Sequence, residues 1–91
     1  MFYDEPRTVV LKVSNSSRGY TSIHDQFGDK YTYKRKIDDD HDEIEVIASG
    51  NAVIDYAIQY SDLVEIIRPK DLRNKLIDKI NNIQIKYTDN K

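Results

Sequence analysis

No cysteine occurs among the 91 residues, which excludes disulfides and thiolate metal sites and is compatible with a reducing compartment. Long apolar runs are missing too. Nothing approaches the ~20 residues that a membrane-spanning helix needs, and the opening "MFYDEPR" is too polar for a signal peptide. The cytoplasm is therefore the expected location. No glycine-rich loop is present to cradle phosphate, and no spacing of serine, histidine and acid matches a hydrolase motif. The formal net charge of -2 gives no general affinity for polyanions, so any nucleic-acid contact must come from a local patch. Internal repeats and Gly/Ser linkers are absent as well.

What is present suits one soluble globular domain: 33% charged and 38% hydrophobic residues, in a chain that buries roughly 60–65% of its unfolded surface. "TVVLKVS" (8–14) alternates, with Val9, Leu11 and Val13 on one face and Val10 and Lys12 on the other, and predicts a strand. "SSRGYTSIHDQFG" (16–28) spaces Tyr20, Ile23 and Phe27 as a helical stripe, weakened by Gly19, Thr21 and Ser22. "DKYTYKRKI" (29–37) alternates again, turns at the aspartates of 38–42, and returns as "EIEVIAS" (43–49), a hairpin. "SGNAVIDYAIQYS" (49–61) places Ser49 and Asn51 before an apolar helical face, the pattern of an N-capped helix. "DLVEIIRP" (62–69) is a fourth strand ended by Pro69. From there Leu72, Leu76, Ile80 and Ile83 mark a last helix, with Pro69 at its first position and Asp71 in its first turn. That helix is expected to fade near Asn81 and Asn82, leaving "IQIKY" as a tail.

The order β-α-β-β-α-β-α points to an α+β fold: a ferredoxin-like split βαβ sandwich with an added C-terminal helix. The domain is expected over residues 8–87, with 1–7 and 88–91 frayed. The segment "YAIQYSDLVEIIRPKDLRNKLIDKINNIQIKY" (56–87) resembles the WCX domain, the C-terminal extension of WYL-domain proteins. The likeness lies in a helix, a hydrophobic strand ending in proline, a helix opening P-x-x-L-R, and a final aromatic. The opening strand "VVLKV", the helix ending "FGD" and the hairpin agree in layout, so the resemblance runs from Thr8 almost to the end. The chain departs from it at Ser61-Asp62, where many relatives carry glycine. It also lacks the Trp-Tyr-Leu motif, the WYL barrel and the helix-turn-helix, which precede the WCX domain in the family.

The resemblance implies a non-catalytic C-terminal module of a bacterial WYL-type helix-turn-helix transcriptional regulator, which responds to a ligand and supports a dimer. The implied partners are WYL and helix-turn-helix domains upstream, a second copy, and single-stranded nucleic acid or a small anionic effector. No cofactor and no metal are expected. The alternative is a stand-alone ferredoxin-like module for self-association or for a small anion.

The candidate ligand contacts are Tyr33, Lys34, Arg35, Arg68 and Arg73. "KYTYKRK" (30–36) interleaves aromatics with cations, as single-strand binders do. As a regular strand it would put Tyr31, Tyr33 and Arg35 on one face, with Lys34 and Lys36 on the other. The competing reading packs the tyrosines on the sheet and leaves the lysines to blunt an edge strand. Arg68 and Arg73 flank a helix start, where backbone N–H groups also favour phosphate or carboxylate. Arg73 has a plainer reading as well, a bridge to Asp71 or another nearby acid. The acidic "DDDHDE" (38–43) lacks the glycine and terminal glutamate of a calcium loop and is expected to be a solvated turn. An acid at the end of the first strand, as some small ferredoxin-like nucleases use, is replaced here by Val13-Ser14-Asn15. Enzymatic activity is not expected.

Overall fold

Two serines start the first two helices. Ser16 accepts from the Gly19 N–H and Ser49 from the Ala52 N–H, each at 3.1 Å, so each cap satisfies a donor that the helix cannot. The computed structural model describes residues 5–89. In chain order it contains β1 (Pro6–Ser14), α1 (Ser17–Phe27), β2 (Tyr31–Asp38), β3 (His41–Ser49), α2 (Gly50–Gln59), β4 (Val64–Arg68) and α3 (Lys70–Asp89). Residues 1–4 and 90–91, within the ends expected to fray, lie outside the described residues. The first strand nevertheless begins at Pro6.

The fold is α+β. One four-stranded sheet, ordered β2-β3-β1-β4 with every neighbouring pair antiparallel, carries three helices. Its helix-covered side is the core. Val9, Leu11 and Val13 of β1, Ile44 and Val46 of β3, and Val64 and Ile66 of β4 meet Ile23 and Phe27 of α1, Val53, Ile54 and Tyr56 of α2, and Leu72 of α3. Tyr56 is almost wholly buried. Its hydroxyl pairs with Ser22 Oγ at 2.8 Å, and its ring meets Phe27 edge-on at 5.0 Å.

Gly19 weakens α1 as a helix former but lets it dock. A Cβ there would lie 2.0 Å from the Ser14 carbonyl oxygen, so no larger residue fits between α1 and the end of β1. Gly28 ends α1 at φ 63°, and its N–H reaches the His24 carbonyl at 2.8 Å.

The last helix differs most from expectation. It does not fade at Asn81 and Asn82 but runs unbroken to Asp89. Pro69 stands just before it, joined to Arg68 by a cis peptide bond, and its carbonyl accepts from Leu72 and Arg73. Pro69 is thus the residue before the first helical position rather than that position itself. Asp71 holds Arg7 through two bonds of 2.9 and 3.0 Å, which ties the first turn of α3 back to β1. Further along, Lys79 reaches Asp55 of α2 at 2.8 Å. The 20-residue helix therefore rests on β4 and α2. Among the described residues no helix is long and apolar enough to cross a membrane.

Titratable groups are placed to give the fold opposite sensitivities at its two pH limits. The Tyr20 hydroxyl donates to Asp42; burial first, and then this bond, hold its pKa well above the usual phenol range. Arg7 beside Asp71, and His41 together with the Asp40 N–H beside Asp38, hold those two carboxyls below the usual range. Their folded-state pKa is depressed, so their contribution is present above the ordinary ~3.9 and lost as pH falls through the folded values. Tyr20 is the reverse: its contribution is complete below about 10 and lost as pH rises beyond it. Melting temperature followed against pH should fall on both limbs. Asp71→Asn should flatten the acid limb and Tyr20→Phe the alkaline one. In urea denaturation Gly19→Ala should cost roughly 2–4 kcal/mol, because α1 must move away from β1. Gly28→Ala should cost less, about 1–2 kcal/mol, from its positive φ.

Candidate functional site: the arginine clamp on the open sheet face

The side of the sheet away from the helices is not apolar. The pairings Arg35↔Glu43, Lys12↔Glu43 and Lys12↔Glu65 set Arg35, Glu43, Lys12 and Glu65 in one row across β2, β3, β1 and β4. Charges alternate along that row, the arrangement that cross-strand neighbours favour. Glu43 lies at its centre with only 9% of its side chain exposed. Arg35 Nε meets its Oε1 at 3.0 Å. Arg68, which pairs with Val10 one step along, reaches diagonally to its Oε2 at 3.4 Å. The two arginines are 65% and 61% exposed, so each offers most of its surface to solvent while held by one buried acid.

Bulges create this meeting. The register of β2 against β3 passes from Tyr33↔Ile44 directly to Arg35↔Glu43, leaving Lys34 without a partner residue. That extra residue moves Arg35 to the side opposite the tyrosines. Tyr31, Tyr33 and Arg35 therefore do not share a face: Tyr31 and Tyr33 lie on the helix side, paired with Val46 and Ile44, and Arg35 lies on the open side. A second shift between Val10 and Leu11 places Arg68 opposite Val10.

Of the five residues that the sequence singles out, the structure thus brings two together. Arg35 and Arg68 converge on Glu43. Lys34 is exposed on the edge strand next to them. Tyr33, half exposed, belongs to the other side of the sheet, with Tyr31 and Tyr20. Arg73 has separate work. Its guanidinium donates to the Ile66 carbonyl on the outer edge of β4 at 3.2 Å and lies 3.5 Å from Glu65. It covers an edge carbonyl that would otherwise be open to strand pairing. Asp71, the nearest acid in sequence, is taken by Arg7.

The aspartate-rich turn is held by its own groups. Asp38 accepts from the Asp40 N–H at 2.8 Å and meets His41 Nδ1 at 2.9 Å. Asn15 crosses to it, its backbone N–H reaching the Asp40 carbonyl and its side chain the Asp39 carbonyl, both at 2.9 Å. No group of three potential metal-ligating side chains comes together among the described residues.

Sequence reasoning missed Glu43. Its signal was present, an acid that alternates with Ile44 and Val46 along β3, but only the register shows that it faces two arginines.

Glu43→Ala should destabilise the fold by about 1–3 kcal/mol, because it removes a buried acid and leaves three cations facing one another. Arg35→Ala or Arg68→Ala alone should cost at most ~1 kcal/mol, since each arginine is largely solvated and the other still pairs with Glu43. A double-mutant cycle in urea would read the coupling. Searches of protein-family models, curated proteins and solved structures returned no match for the chain.

Proposed function

We propose that this chain is a non-catalytic, ligand-responsive and dimer-supporting module of the WCX kind. In this reading it forms the C-terminal part of a WYL-type helix-turn-helix regulator acting in the cytoplasm. Its fold is then a ferredoxin-like split βαβ sandwich with one helix added. The strand order β2-β3-β1-β4, all antiparallel, supports that fold, as does the alternation of helices between the strands.

One observation carries the ligand-response part: Arg35 and Arg68, from the two edge strands, are held by one carboxylate and remain mostly exposed. Guanidinium groups bind phosphate and carboxylate through paired N–H donors, so a clamp with a fixed spacing is a preorganised receiver for an anion. Glu43 keeps the pair in place without a ligand, and an arriving anion competes with it for the same donors. Lys12 lies opposite Glu43 in the register and can neutralise the acid once the arginines turn outward. The isolated module is therefore a weak site, completed by groups that the resemblance places in the upstream domains.

Fluorescence anisotropy with a labelled single-stranded DNA oligonucleotide tests this. Two phosphate contacts should weaken binding about sevenfold between 50 and 200 mM salt. Arg35→Ala and Arg68→Ala should each lower the affinity several-fold, whereas Arg73→Ala should change it little. An affinity that survives the Arg35→Ala/Arg68→Ala double variant would remove the clamp from the effector site.

A further inference from the structure

The C-terminal half of α3 carries an apolar stripe that nothing among the described residues covers. Burial falls along the helix as it leaves the body. Leu72 is 1% exposed and Leu76 partly buried, but Ile80 is 48%, Ile83 39% and Tyr87 76% exposed. At 100° per residue these five positions fall within one face of about 80°, while Ile85 lies on the opposite side. The helix also stretches the molecule. Its Cα radius of gyration is 13.9 Å, against about 12 Å for a compact chain of this length.

The stripe is complementary to itself. Leu76, Ile80, Ile83 and Tyr87 are spaced four, three and four apart, the seam of a helix pair. Turned antiparallel about a two-fold axis between Asn81 and Asn82, the helix meets its copy so that Ile80 faces Ile83 and Leu76 faces Tyr87, twice over. A receptacle for that tyrosine already exists. A groove of about 490 Å³ lies between α2, β4 and α3, lined by Ala57, Ile58, Val64, Leu76 and Ile80, with Glu65 at its rim. Lys86 adjoins Tyr87, so seating the tyrosine of one copy brings a cation toward the acid of the other. Glu65 is 58% exposed, with Arg73 as its neighbour at 3.5 Å, and so remains open to a second cation.

We infer that α3 is an isologous interface: two copies of the chain pair antiparallel along Leu76–Tyr87, each inserting Tyr87 into the groove of the other. The inference rests on the dimer-supporting part of the proposed function and needs nothing from the arginine clamp. The overlap of twelve residues is about 18 Å long, roughly three helical turns. Together with two seated tyrosines, that reaches the low end of the ~1,200–2,000 Å² buried by specific interfaces, which points to micromolar association. A closed two-fold also uses up the stripe on both helices, so the stripe itself cannot propagate a chain of copies.

Sedimentation velocity on the 91-residue chain, from about 5 to 300 µM, is the test. The wild type should show a concentration-dependent monomer–dimer equilibrium. Ile83→Glu should be monomeric throughout with an unchanged circular dichroism spectrum, and Tyr87→Ala and Lys86→Glu should raise the dissociation constant at least fivefold. Because the chain has no cysteine, Leu76→Cys/Tyr87→Cys reports the register. The two thiols are about 16 Å apart along one helix, so a disulfide between them can form only across copies. A covalent dimer from the double variant and from neither single one is the expected result. Dimers that persist in Ile83→Glu would overturn this interface while leaving a dimer-supporting role intact, and a chain still monomeric at the highest concentration would overturn both.

Discussion

Nine consecutive residue pairs join β1 and β3, from Pro6↔Ser49 to Ser14↔His41, without a break in register. Everything else is hung on that ladder. Side chains alternate along a strand, so a single slip would carry Glu43 and Glu45 into the core and Ile44 and Val46 into solvent. The register is fixed by the burial of Val9, Leu11, Ile44 and Val46, all at 0% exposure. These two strands occupy the middle of the sheet and are paired on both sides. The outer strands attach to them less regularly, each through a register shift. The rigid centre therefore sets the parity of the faces, and the adaptable edges decide which side chains are delivered to them.

Those edge irregularities make the chemistry of the open face. Were β2 to pair regularly through Lys34, Arg35 would fall on the helix side with the tyrosines, and Lys34 instead of an arginine would lie opposite Glu43. With the bulge, cations from both edges close over a central acid, and their stems shield it and Val10 from water. A sheet with helices on one side only must make its other side tolerable to solvent. An alternating charge row does this without exposing apolar surface. The same row limits affinity. An anion gains two guanidinium groups only by taking them from a carboxylate that is 9% exposed, so part of its binding energy goes into reorganising Glu43 and Lys12.

The sequence made the elements legible because their periods are plain. The alternation of 8–14 and the stripes at Ile23–Phe27 and Val53–Ala57 correspond to observed strand and helices, and the cap of α2 is at Ser49, where the sequence pattern puts it. The bulge was not legible, because "KYTYKRK" alternates perfectly on paper and only the partner strand reveals the extra residue. The helix through Asn81–Asn82 was misjudged for a different reason. Asparagine is a weak helix former, but two of them cost little when the helix is already nucleated and each added residue only extends it. Gly19 looked like a defect in α1, and its reason is the Ser14 carbonyl on β1, which a Cβ there would approach to 2.0 Å. For the bulge and for Gly19 the local pattern lost to a contact made at long range, whereas α3 passes the asparagines as the continuation of a helix already begun.

The junction at Arg68-Pro69 joins the two surfaces. Arg68 reaches Glu43 on the open face, and one residue later the chain enters α3, whose first turn is fixed by Asp71 to Arg7 and by Arg73 to the Ile66 carbonyl. With its first turn clamped at two points and Lys79 tied to Asp55, the helix has little freedom to swing on its own. No loop separates β4 from α3, so a shift of the Arg68 backbone passes to the start of α3, whereas a turn of its side chain alone does not. The arginine clamp and the exposed stripe are thus successive parts of one strand–helix unit. A force that draws Arg68 away from Glu43 acts on the strand whose Val64 and Glu65 line the groove that α3 borders. In the proposed function, β4 and Pro69 are the short segment that joins the anion site on the sheet to the pairing face of the helix.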